Sequence, residues 1–197
     1  MKNEDKILKY MKTHNGTITS KIASKLKIHR QYLVKLEREN LIERVERGVY
    51  ILPEFLEDQM FVIQQRFKKG VYSHGTALYL HGLTDRIPQI YTMTFPNSYN
   101  TKTLLSEGIN VYQSYKKYHS SYKTKKQTTN GNMVFVYTIE KTLCDIVRGN
   151  SRLNIEEITN AFKMYAKRDD KNLHLLTNIA KTLKVTETVK KYMEVLV

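Results

Sequence analysis

Residues 18–51 constrain the fold more than any other part of this 197-residue chain. Thr19 or Ser20 stands where a side-chain oxygen takes up the free N–H groups at the start of a helix over 21–26. Ile22, Ala23 and Leu26 fall on one face of that helix, and the small Ala23 lets a second helix cross closely. Lys27-Ile28-His29 makes the turn, with Ile28 as its apolar plug. The next helix, over 30–39, buries Leu33 and Leu36, and leaves His29, Arg30, Gln31, Tyr32 and Lys35 near its exposed N-terminal half. Asn40 occupies its C-terminal stop. Val45, Val49 and Ile51 have the β-branched character of strands, with Arg47-Gly48 as the turn between them. Upstream, Ile7, Leu8 and Met11 recur at helical spacing over 4–13, and Asn15-Gly16 ends that helix. Three helices and a hairpin in this order predict a winged helix-turn-helix, whose second motif helix enters the major groove of duplex DNA.

The charge agrees with a polyanionic partner. Lys plus Arg number 33 against 19 Asp plus Glu, for a net charge of +14. The charge is not concentrated on the motif: residues 1–57 carry 12 basic and 8 acidic residues, and residues 58–197 carry 21 and 11. The sequence therefore predicts two domains, 1–57 for DNA binding and a more basic 58–197. The second is either a further polyanion contact or a solvated basic surface. The single cysteine, Cys144, excludes an internal disulfide framework and fits a reducing cytoplasm. The chain has no apolar run of ~18 residues, and its first residues lack the apolar centre of a signal peptide.

Pro53 closes the hairpin, and Phe55, Leu56, Met60, Phe61, Ile63 and Phe67 suggest a connecting helix ended by Lys68-Lys69-Gly70. Ser73 is placed to cap a helix over 75–80. Strands are expected at 90–95, 109–112 and 133–137, and Thr138 caps a helix over 140–147. Apolar residues at three- and four-residue spacing predict helices over 155–167, 173–183 and 186–195. The expected fold is α+β: a winged helix-turn-helix, then a mixed α/β domain with a small sheet and C-terminal helices.

His74 and His81 share a helical face, but no third ligand stands at a recognisable spacing, so capping or core hydrogen bonding is the expected role. Between residues 112 and 126, Tyr112, Tyr115, Tyr118 and Tyr122 alternate with Lys116, Lys117, Lys123, Lys125 and Lys126. Tyrosines stack on bases while lysines track phosphates, so this segment is either a secondary nucleic-acid contact or a strand with a solvated basic loop. Glu140, Asp145, Asp169 and Asp170 are the carboxylates available for catalysis. Lys141 follows Glu140 directly rather than two residues on, as a nuclease core of the Glu-x-Lys kind requires. No phosphate-binding glycine loop appears. Cys144 lies in an apolar run without a placed histidine base and reads as a structural thiol. Arg86 and Lys102 are loop cations. No catalytic, cofactor or metal site is expected.

Four blocks in order go beyond a generic winged helix: Arg47-Gly48-Val49-Tyr50, the run from Ser73 to Leu83, the run from Ile139 to Ile146, and the run from Lys190 to Leu196. Together they resemble the AbiEi antitoxin family. The resemblance implies the antitoxin half of a bacterial abortive-infection (type IV toxin–antitoxin) system in phage defence. Its N-terminal domain would repress its own operon at inverted repeats. Its second domain would oppose a nucleotidyltransferase-like toxin without a stable complex. On this reading Thr19, Ser20, Lys21, His29, Arg30, Gln31, Tyr32, Lys35, Arg44 and Arg47 are the DNA-contact candidates. Three alternatives stay open: a stand-alone regulator whose C-terminal domain binds an effector, an enzyme with a DNA-targeting domain, and neutralisation of the toxin by direct binding.

Overall fold

Short amphipathic helices and a small antiparallel sheet build the first of two units in the computed structural model, which describes residues 2–194. Helix α1 (Asn3–Thr13) buries Ile7 and Met11 and stops at Asn15 and Gly16, both with positive φ. Gly16 has a second reason to be glycine: a Cβ there would lie 2.2 Å from Cγ of Phe55. Strand β1 (Thr17–Thr19), helices α2 (Ser20–Lys25) and α3 (Gln31–Arg38), and strands β2 (Glu43–Glu46) and β3 (Val49–Ile51) follow. The three strands pair antiparallel in the order β1-β3-β2. Ile7, Met11, Ile18, Ala23, Ile28, Leu33, Leu36, Ile42 and Tyr50 form one buried cluster. Strand β1 has no local signature in the sequence, because its three residues are all buried and show no alternation.

The structure corrects several expectations here. Leu26, expected on the same face as the buried Ala23, is 42% exposed. Helix α2 ends at Lys25, Lys27 turns left-handed (φ 59°), and Ile28 takes the core place, 2% exposed. Phe55 and Leu56 precede the next helix and are exposed. That helix, α4 (Gln59–Arg66), starts one residue after its cap, Asp58.

The domain boundary also differs. The first unit is 1–68 together with 127–134, and the second is 69–126 together with 135–197. Asp58 explains the first grouping. Its Oδ1 accepts the Phe61 N–H at 3.1 Å, and its Oδ2 accepts from Thr128 Oγ1 at 2.5 Å and from Asn132 Nδ2 at 3.0 Å. One buried carboxylate thus starts α4 and fixes a segment 70 residues downstream, which no local pattern reveals.

The second unit is a five-stranded sheet with helices. Its strands are β4 (Val71–Tyr72), β5 (Tyr91–Pro96), β6 (Ile109–Ser114), β7 (Lys123–Gln127) and β8 (Met133–Tyr137), in the order β6-β5-β4-β8-β7. The turn joining β7 to β8 lies within the segment grouped with the first unit. Strands β4 and β5 pair antiparallel, whereas β4–β8 and β5–β6 are parallel. Helices α5 (His74–Leu80), α6 (Lys116–Ser120), α7 (Ile139–Ile146), α8 (Ile155–Ala166), α9 (Leu173–Leu183) and α10 (Thr186–Glu194) complete it. The core here joins Leu78, Leu83, Leu143, Phe162, Tyr165 and Ile179. The last expected helix residue, Val195, and the end of the fourth family-like block lie outside the described residues. Strands β4 and β7 and helix α6 are additions to the expected elements. β4 is two residues long, and β7 is a lysine-rich edge whose charges discourage pairing with another chain.

Replacing Asp58 by Ala removes a helix cap and two side-chain bonds, one buried and one partly buried. It is expected to cost about 2–4 kcal/mol, read as a lower midpoint in urea unfolding of the full chain.

Candidate nucleic-acid interface

Because Leu33 and Leu36 are held in the core, the opposite face of α3 points outward. His29, Arg30, Gln31, Val34, Lys35 and Arg38 line one shallow groove on that face. Val34 and Arg38 join the residues expected from the sequence; the spacing 30, 34, 38 was the available signal. His29 Nδ1 accepts the backbone N–H of Gln31 at 3.3 Å, so the imidazole helps start the helix. Lys35 Nζ reaches Glu4 on α1 at 2.9 Å, which raises the lysine pKa and lowers that of the glutamate. Lys35 is exposed and Glu4 partly so, so water screens the pair and the lysine can exchange its partner. Tyr32 departs from expectation: its ring is half-buried against the core.

The start of α2 and the β2–β3 hairpin are tied together. The Ser20 N–H donates to the Gly48 carbonyl at 2.8 Å, and Gly48 has φ +76° at the turn. Glu46 accepts the Arg47 N–H at 2.7 Å and pairs with Arg66. These two partners, the backbone bond first, lower the Glu46 pKa. Arg44 and Arg47 stay exposed on the hairpin, and Lys21 is exposed on α2. Thr19 is 7% exposed, and its hydroxyl oxygen accepts the Ile22 N–H at 3.2 Å. It is the cap, as expected, and its oxygen is used there rather than on an outer surface.

In the second unit the lysines expected as secondary contacts are dispersed. Lys116 and Lys117 lie on α6. Lys123 and Lys125 share one face of β7, and Lys126 is on the other. Lys125 sits over the Phe135 ring at 5.3 Å. The tyrosines form no stacking row: Tyr112 stacks on His74, with ring centroids 3.7 Å apart, and Tyr122 packs on the helical core, while Tyr115 is exposed.

The remaining candidates are interior groups. His81 Nε2 donates to the Tyr137 carbonyl at 2.7 Å, leaving a buried Nδ1 without a partner. His74 Nδ1 meets Ser73 Oγ at 3.1 Å. Ser73 therefore does not cap α5; its hydroxyl oxygen also accepts from Thr94 Oγ1 at 2.8 Å. Glu140 accepts from Tyr165 Oη at 3.2 Å, whereas Asp145 pairs with Lys141 one turn earlier, so the two carboxylates serve separate places. Burial pushes the Cys144 thiol up to about 12, in keeping with a structural thiol. Among the described residues, no three His, Cys, Asp or Glu side chains cluster as metal ligands, and no helix is long and apolar enough to cross a membrane.

With this geometry in view, the first unit is similar to a class of transcriptional regulators. Over residues 5–53 the chain matches the family model described as "Transcriptional regulator, AbiEi antitoxin". The resemblance read from the sequence therefore holds across the motif unit. No curated protein matches the chain. Among solved structures, it resembles the crystal structure of the RV2827C protein from Mycobacterium tuberculosis. The TM-score is 0.54 at 11% identity, covering 98% of this chain and 80% of that one, so the likeness is one of fold.

Burial lowers both His74 and His81 from 6.5 to about 4. The unfolded chain then binds more protons between those values, so the stability these groups contribute is full above about 6.5 and falls as pH drops towards 4. The urea midpoint should decrease from about pH 7.5 to about pH 5.5, and His81→Gln should flatten that slope. Asp145→Asn, which leaves the Lys141 ammonium buried without its counter-charge, is expected to cost about 3–5 kcal/mol, while Lys141→Met with Asp145→Leu recovers most of that stability.

Proposed function

We propose that this chain is a DNA-binding autorepressor and antitoxin. The carrying observation is the outer face of α3, where three cations, a glutamine, a histidine and an apolar Val34 project together from a helix whose other face is held in the core. With α2 before it and the β2–β3 hairpin after it, we read the unit as a winged helix-turn-helix with α3 in the major groove. Arg30 is assigned to a guanine edge, Gln31 to a second base, Val34 to a thymine methyl, and Lys35 and Arg38 to phosphates. Ser20 and Lys21 meet the backbone at the start of α2, and Arg44 and Arg47 place the hairpin on the backbone or in the minor groove. One helix reads few base pairs, so two copies on an inverted repeat upstream of its own operon supply the specificity.

The match to AbiEi antitoxins supports the rest of the reading. The second unit counteracts a cognate nucleotidyltransferase-like toxin of a type IV, phage-defence system, without a stable complex and in the cytoplasm. We take the chain to be a binding protein rather than an enzyme, because Glu140 and Asp145 are each committed to a separate structural bond. Co-purification with the toxin would argue instead for direct neutralisation.

The first test is a gel shift on the protein's own upstream duplex beside a scrambled one. Specific stepwise binding is expected, and Arg30→Ala with Lys35→Ala should weaken it by about 10- to 100-fold or more, at ~1–3 kcal/mol for a base-reading arginine. Equal affinity for both duplexes would overturn the reading. Glu4→Gln releases Lys35 and removes an anion near the DNA, so it should tighten binding. If Lys116, Lys117, Lys123, Lys125 and Lys126 add phosphate contacts, their joint replacement lowers the salt slope by ~0.9 for each phosphate no longer neutralised; an unchanged slope assigns them to the solvated surface.

A further inference from the structure

A cleft of about 300 Å³ opens in the second unit beside α5 and the paired strands β5 and β6, with the start of α8 on its rim. Nothing in the DNA-binding reading uses it. Its volume falls at the lower end of small-ligand pockets. One wall is the stacked pair of His74 and Tyr112, whose rings lie within 13° of parallel. This wall is built rather than incidental. The Tyr112 hydroxyl donates to the Asn150 carbonyl at 3.2 Å and accepts the Arg152 N–H at 3.1 Å. His74 is held at φ +49°, a conformation few residues with a Cβ adopt, and such strain gathers at binding sites.

The rim carries two guanidinium groups. Arg86 Nη1 donates to Glu157 Oε1 at 2.7 Å, and its side chain is 70% exposed, so the pair is weak and exchangeable. Glu157 keeps a second task, since its Oε2 accepts the Asn154 N–H at 2.9 Å in the capping box of α8. It can release Arg86 without losing its own place. Arg152 donates to the Asn110 amide oxygen, a neutral partner that leaves its charge unbalanced at that bond. Behind the His74–Tyr112 wall, a smaller polar cavity holds Arg148 and the Lys141–Asp145 pair, so cations outnumber carboxylates around both spaces. Leu78, Ile87 and Leu153 give the cleft an apolar lining.

We propose that this cleft binds a small organic anion composed of a planar ring and a phosphate, a mononucleotide in size and chemistry. The phosphate lies on Arg86 and Arg152, and the ring packs at the His74–Tyr112 wall against the apolar lining. Guanidinium forks suit phosphate because they bind it through two parallel N–H bonds. The proposal is independent of duplex binding by α3 and makes the second unit a ligand sensor.

The test titrates the full chain by calorimetry with AMP, GMP, CMP and UMP, with the corresponding nucleosides and inorganic phosphate as controls. At least one mononucleotide should bind saturably, at least tenfold more tightly than its nucleoside. Arg152→Gln should weaken it tenfold or more, and Glu157→Gln, which retains the capping acceptor and frees Arg86, should strengthen it. Arg30→Ala with Arg38→Ala should leave it unchanged, although that variant loses duplex binding. Absence of binding by all four, equal binding of nucleoside and nucleotide, or loss on changing α3 while the Arg152 variant still binds, would overturn the proposal. The duplex gel shift is separate, so failure of one reading leaves the other standing.

Discussion

Helix α7 is the element around which the second unit is arranged. All eight of its residues are buried, including Glu140, Lys141, Thr142 and Asp145. A helix with two carboxylates and an ammonium cannot leave water unless each charge finds a partner, because an unpaired buried ion costs several kcal/mol. The neighbours supply those partners. Asp145 meets Lys141 along the helix, and the Lys141 ammonium lies 4.6 Å from the centre of the Tyr137 ring. Glu140 takes the Tyr165 hydroxyl and the Asn172 N–H, and so joins the end of α8 to the start of α9. Helices α5, α8 and α9 all pack on α7. The cleft wall depends on this arrangement, since His74 and Tyr112 line the same small cavity as Lys141 and Asp145.

The first unit follows a simpler rule. Its helices are short, and none would be stable by itself, so apolar contacts do the orienting. Ile28, Leu33 and Leu36 decide which side of α3 is hidden, and therefore which side offers Arg30, Gln31, Val34 and Arg38. Fold and candidate interface are two faces of one helix. The bond from Ser20 to Gly48 sets the hairpin turn at the start of α2, so the exposed arginines of the hairpin belong to the same construction.

Much of this was legible because it rests on local periodicity. The apolar spacing of α1 and α3, the positive-φ stops at Asn15, Gly16 and Asn40, the Arg47-Gly48 turn and the Thr138 cap all appear where neighbouring residues dictate them. The candidate interface was likewise visible, except for Val34 and Arg38 one and two turns beyond Arg30. Misreadings arose where a side chain had a distant alternative. Ser73 stands at a helix start, yet its hydroxyl meets Thr94 on a strand. Tyr112 sits in a lysine-rich run, yet its ring lies against His74. Leu26 has the spacing of a core residue, but the left-handed Lys27 puts Ile28 there instead.

The sequence by itself determined the helix–turn–helix–hairpin order, the basic character of the chain and the mixed composition of its second half, because these depend on residues close in the chain. Tertiary structure decided three other matters. Asp58 gathers 127–134 into the first unit, Glu140 and Asp145 serve separate bonds, and two loop cations, Arg86 and Arg152, meet at one cleft with an aromatic wall. Apart from the Asp145–Lys141 pair within one helix, each of these joins residues tens of positions apart. Whether such groups meet depends on how the sheet and helices pack, which no window of neighbouring residues encodes.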